Sequence, residues 1–147
     1  CCSGCGTAAM QRGTERMTRE QIERRLEEYR AALRSMDPDR WVGMFAEDAE
    51  VQDPVGGQVH RGHGQVRAFF MEVRRRRKLL DMIPEASYIT PPNGAAVMWS
   101  LRAVQRSGPD VTLKGISTYE FREDGKLTRM LVYWSSDPAW SRESSHP

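Results

Sequence analysis

Near residue 79 the spacing of apolar side chains changes from helical to extended and does not change back. Before that point Ile22, Leu26, Tyr29 and Leu33 recur at the three- and four-residue intervals of one helix face. Glu23, Arg24, Glu27, Glu28 and Arg30 fill the other face, and Thr18-Arg19-Glu20-Gln21 forms a capping box ahead of them. This predicts an amphipathic helix of about four turns. Asp37-Pro38 predicts a second helix, with Asp as cap and Pro at its first position. Trp41, Met44 and Phe45 form its expected buried side, and its expected end is near Asp48. Residues 49–53 alternate as a short strand before Pro54, and Gly56-Gly57 makes a turn. A third helix is expected over 63–78, with Val66, Phe69, Phe70 and Val73 inward. Beyond it, residues 79–90, 95–105, 111–122 and 127–136 read as four strands. The breaks are Pro91-Pro92-Asn93-Gly94, Ser107-Gly108-Pro109-Asp110 and Glu123-Asp124-Gly125-Lys126. Turns this short pair neighbouring strands antiparallel. Helices first and strands after give an α+β class, a curved antiparallel sheet of about five to six strands closed by three N-terminal helices.

The 147 residues fit one domain, expected over 18–136, between a disordered leader (1–17) and a polar tail (137–147). No apolar run reaches the ~18 residues of a membrane helix. The net charge of +2 lacks the basic excess of a dedicated nucleic-acid binder. No membrane or nucleic-acid partner is therefore expected. The three cysteines, Cys1, Cys2 and Cys5, all lie in the leader. A disulfide framework would spread them through the fold, so a cytoplasmic location is the expectation. Metal is not expected either. His60 and His63 sit in a turn without matched ligands, and the early cysteines have no histidine near them. No phosphate-binding loop or cofactor motif is present, so no cofactor is expected. The basic run at 74–78 reads as a solvated last helical turn, where cations suit the helix dipole. The other reading is a patch for an anionic ligand or a nucleic acid.

The chemistry shows as polar groups on apolar faces. In strand 49–53, Ala49, Val51 and Asp53 share one face by the two-residue period, and Glu50 and Gln52 the other. Asp53 is either a turn residue before Pro54 or a carboxylate directed into the fold. In the second case lost hydration raises its pKa and makes it a general base. Tyr29 lies on the apolar stripe of the first helix, where a buried phenol needs a partner and can donate to an oxygen that gains charge. Ser117 shares an inward face with Tyr119 and Phe121. Met130, Val132 and Trp134 share one face of the last strand.

These residues are similar to a known pattern. Tyr29-Arg30-Ala31-Ala32-Leu33, the run from Phe45 through Asp53-Pro54 to Gly57, then Gly62 and Phe69-Phe70, resemble the ketosteroid isomerases. More broadly they resemble the SnoaL-like polyketide cyclases and the NTF2-like superfamily. Tyr29 to Phe70 can be laid on the isomerase pattern without a gap, and the hairpin from Tyr119 to Lys126 continues the match. The resemblance implies a cone of sheet around a deep apolar pocket and a homodimer formed through the outer sheet face. It implies Asp53 as the general base and Tyr29 as oxyanion donor. Ser117 stands where the isomerases carry a protonated aspartic acid, and Phe70 replaces a supporting tyrosine. Met130 and Trp134 fall at pocket-lining positions. With Phe45, Phe69, Phe70, Trp99 and Tyr119 they form the expected substrate-binding surface. The function so implied is a cofactor-independent polyketide cyclase or isomerase acting on a hydrophobic small molecule. A steroid isomerase with a reduced oxyanion hole and a non-catalytic binding or assembly module are the alternatives.

Overall fold

The computed structural model describes residues 16–136. The cysteines, most of the expected leader and the expected tail lie outside the described residues. Helix α1 (Arg19–Ser35) starts at the capping box read from the sequence. The Gln21 N–H donates to Thr18 Oγ1 (3.1 Å), and the Thr18 N–H donates to Gln21 Oε1 (2.8 Å). Its buried stripe is Ile22, Leu26, Tyr29, Ala32 and Leu33. Met17, at the expected leader's end, already donates its N–H to Asn93 Oδ1 (2.8 Å).

Helix α2 (Pro38–Val42) is capped by Asp37, which accepts from the Asp39 N–H (2.9 Å). It ends five residues in and not near Asp48. Strand β1 (Phe45–Gln52) follows, so Phe45 belongs to a strand and not to a helix. The physical reason is Gly43: its N–H closes the last helical turn on the Asp39 carbonyl (2.9 Å) and the chain then extends. Strand β2 (Val59–Arg61), missed in the sequence, has three residues, too few for a period to show. Helix α3 (Gly62–Arg76) buries Val66 and Phe70. Strands β3 (Arg77–Thr90), β4 (Gly94–Gln105), β5 (Val111–Phe121) and β6 (Leu127–Tyr133) complete the described elements.

The six strands form one sheet in the order β2-β1-β6-β5-β4-β3. Four of its five pairings are antiparallel. The β1–β6 pairing is parallel, because β1 joins β6 only after the chain has run through α3 and the β3–β5 meander. Bulges between Arg77 and Leu79 and between Pro84 and Ala86 bend the long β3–β4 ribbon. The helices cover the concave face, with α1 packed on β3 and α3 on β1. Among the described residues no helix is long and apolar enough to cross a membrane.

Candidate active site

Between the helices and the sheet lies a cavity of about 150 Å³. Tyr29, Leu33, Trp41, Phe69 and Val73 line it from the helices. Trp99, Leu101, Leu113, Ser117 and Val132 line it from the sheet, and Asp53, Arg77 and Trp134 bring polar atoms. Asp53 follows the last residue of β1. Its backbone is fixed beside β6 because Gln52 pairs with Leu131 and the Val55 N–H donates to the Val132 carbonyl (2.8 Å). This keeps the alternation of β1 intact through Asp53, so the carboxyl follows buried Ala49 and Val51 inward. Trp134, just past β6, donates its indole N–H to Asp53 Oδ1 (2.5 Å). Burial raises the Asp53 pKa from its ordinary 3.8 to about 6, against the opposing pull of that hydrogen bond.

Tyr29 is 4% exposed and packs edge-on to Tyr119, with ring centroids 5.4 Å apart. Burial holds its pKa well above the usual phenol range, and the charges of Tyr119 and Asp53 add to the rise. The phenol is a neutral donor at any physiological pH. The Trp41 indole N–H lies toward the Tyr29 oxygen and opposes part of that rise. It does not complete a hydrogen bond of normal geometry, and Trp41 Nε1 is buried without a partner. The indole cannot turn away. It is stacked on Phe70 at 4.7 Å and wedged against Phe45 at 4.6 Å.

Ser117 is 1% exposed and faces the cavity, but its oxygen is taken. It accepts from Trp99 Nε1 at 2.8 Å. Burial pushes the Tyr119 phenol up to about 12, and the Ser117 hydroxyl opposes that rise through a hydrogen bond. Ser117 is therefore held as an acceptor by the Trp99 indole. Of the expected substrate-binding residues, Phe69, Trp99 and Trp134 line the cavity. Phe45, Phe70, Tyr119 and Met130 do not; they are 1–2% exposed and lie in the hydrophobic core. The physical reason is layering: Tyr29 packs over Phe45 and Tyr119, and Trp41 over Phe45 and Phe70. His60 and His63 serve packing. His63 Nε2 donates to the Phe45 carbonyl (2.8 Å) and the His60 ring lies tilted against Phe69, with centroids 4.7 Å apart.

The sequence reading missed two polar members of this lining. The helical pattern marks Trp41 only as apolar core, although a buried indole N–H usually takes an acceptor. Arg77 was read as part of a solvated run, although β3 begins there and its alternation turns one of five successive cations inward.

A family model of the SnoaL-like domain matches residues 26–130, which run from within α1 to within β6. This chain belongs to the SnoaL-like family. Solved structures agree in fold. SalBIII is an epoxide hydrolase/cyclase-like enzyme described for its role in pyran ring formation in the polyether salinomycin. It matches with a TM-score of 0.73 at 24% identity, covering 82% of this chain and 95% of its own. RV0760c from Mycobacterium tuberculosis matches with a TM-score of 0.73 at 22% identity, covering 83% of this chain and 96% of its own. The same protein in complex with estradiol-17β-hemisuccinate matches at 0.71 and 22%, over 80% and 95%. At these identities the likeness is one of fold.

Proposed function

We propose that this SnoaL-like protein is a cofactor-independent enzyme that moves a proton on a hydrophobic carbonyl compound, as a natural-product cyclase or isomerase. Asp53 takes a proton from the carbon beside the carbonyl. The electron pair moves onto the carbonyl oxygen, which the Tyr29 hydroxyl and the Trp41 indole N–H stabilise. The same proton returns from Asp53 to another carbon, or the enolate carbon attacks a second carbonyl, closes a ring, and the alkoxide so formed takes the proton back from Asp53. The observation that carries this reading is one carboxyl, its pKa at about 6, sharing an apolar cavity with two buried neutral donors. A base with a pKa near the working pH is ionised and still basic. The second donor role goes to Trp41 in this proposal because its buried N–H has no partner in the protein.

The test is conjugation of a β,γ-unsaturated ketone, read by ultraviolet absorbance, with wild type and Asp53→Asn side by side. A small ring, cyclohex-3-en-1-one, and a β,γ-unsaturated ketosteroid are run in parallel. Asp53→Asn should lose about 10²–10⁴ in rate, the usual worth of a positioned general base. Equal turnover by both proteins would overturn the reading. Steroid turnover is the second reading, and a fold neighbour's complex with a steroid hemisuccinate favours it. The volume of about 150 Å³ favours a smaller or linear substrate, since pockets for drug-sized ligands occupy roughly 300–1,000 Å³.

A further inference from the structure

The cavity lining contains two charged side chains, Asp53 and Arg77, and they do not pair. Asp53 is engaged by Trp134. Arg77 donates instead to Gln105 Oε1, a neutral amide directly across from it on β4. One apolar space therefore holds an anion and a cation that have not met.

The surroundings of Arg77 add cations, and the carboxylate among them, Glu72, is engaged by Arg75 and Arg76, at 2.9 and 3.4 Å. Arg106 reaches over from the end of β4, with its Nε donating to the Arg74 carbonyl (2.7 Å) and its backbone N–H to the Arg76 carbonyl (3.0 Å). Arg74 Nε is buried without a hydrogen-bond partner. A half-buried guanidinium facing an apolar wall gives up hydration, and a neutral amide returns little of it. What fits its planar fork is a carboxylate, which takes two parallel N–H donors.

We propose that the cavity takes a hydrophobic carboxylic acid whose carboxylate docks on Arg77 while its apolar body runs inward toward Asp53 and Tyr29. This names the substrate class of the site proposed above and rests on that cavity being the substrate site. Arg77 fixes which end of the ligand stays at the helix–strand junction, and so which carbon is presented to Asp53. The acid must itself carry the reacting carbonyl further along its chain.

The probes are octanoate and octanamide, matched in size and differing in charge. Binding is read at pH 8 through the tryptophan fluorescence of the cavity, which Trp41, Trp99 and Trp134 all line. Wild type should bind octanoate about tenfold or more tighter than octanamide, the worth of one charge-assisted contact. Arg77→Met should bring that ratio to about one while octanamide binding stays within about twofold. Gln105→Glu gives Arg77 an internal carboxylate without removing it. It should cost octanoate about tenfold and leave octanamide unchanged. Wild-type binding of octanoate no tighter than octanamide, a preference that survives both variants, or binding of neither probe overturns the proposal. Octyl phosphate binding more tightly than octanoate overturns the carboxylate assignment. Asp53→Asn separates the two claims: octanoate selectivity should persist in it whether or not the wild type turns over a ketone.

Discussion

Asp53 gives up hydration to face the cavity, and Trp134 returns part of it through one hydrogen bond. Two consequences follow at this residue. If Asp53 is the base, activity needs its ionised form, so kcat/KM should rise with pH through about 6 and then level. Trp134→Phe removes the group that holds the pKa down, and the inflection should move to higher pH in a pH–rate profile. The second consequence is for stability. A carboxyl whose pKa is raised from 3.8 to about 6 binds its proton more tightly in the folded state. Its effect on stability is absent below about pH 4, grows as the pH rises, and is complete above about 6. The cost there is about 3 kcal/mol at most, from 1.36 kcal/mol per pKa unit. Asp53→Asn should therefore melt at a higher temperature than wild type at pH 8 and at nearly the same temperature at pH 4. A calorimetric scan at the two pH values checks both.

At the scale of elements, β4 and β5 set the cavity wall through one exchange of side chains. Trp99 on β4 pairs in register with Gly115 on β5, and its indole crosses that position to reach Ser117. A Cβ at Gly115 would lie 2.6 Å from Trp99 Cη2 and 2.5 Å from the Tyr133 carbonyl. Gly115→Ala should cost about 1–3 kcal/mol as an overpacking change, seen as a lower urea midpoint. Ser117→Ala leaves Trp99 Nε1 buried without its acceptor and should cost a similar 1–3 kcal/mol or so. Turnover should fall by less than about tenfold in that variant, whereas loss of an oxyanion donor costs about 10²–10³. The same pair of strands marks where sequence reading stops. The inward direction of Tyr29 is legible from the period of its helix, whereas the period of β1 points Asp53 inward but leaves a turn before Pro54 equally open. The engagement of Ser117 is not legible, because its partner comes from a neighbouring strand whose register neither strand spells out. The end of α2 is misread because Phe45 suits the apolar face of a helix and of a strand equally well.

At the scale of the whole molecule, the α+β architecture is legible from the change of period, and the parallel β1–β6 contact is not. Short turns announce hairpins, but nothing local announces that the first long strand will lie beside the last. The outer sheet face carries a second feature. Met98 pairs with Ile116, and Ile116 with Tyr133, so three large apolar side chains line up across β4, β5 and β6. They are 39%, 40% and 46% exposed. We propose that this ladder is the centre of a homodimer interface, the outer-face pairing that the family resemblance implies. Ile116→Lys should convert the dimer to monomer in sedimentation equilibrium without lowering helix content, and a wild type that sediments as a monomer would refute it.

Strand β6 comes last in the chain among the described strands and stands between β1 and β5 in the sheet. Until it arrives, the β1–β2 hairpin and the β3–β5 meander are two half-sheets, each with an open edge where β6 belongs. The residues of the Asp53–Trp134 contact are 81 positions apart in the chain, and the contact cannot form before β6 is in place. Such a long-range closure is slow by its topology. On the ribosome, then, the cavity cannot acquire its polar end early. A shortened chain lacking β6 would retain every helix and most of the apolar lining, and it would be an adhesive intermediate with no tethered acid.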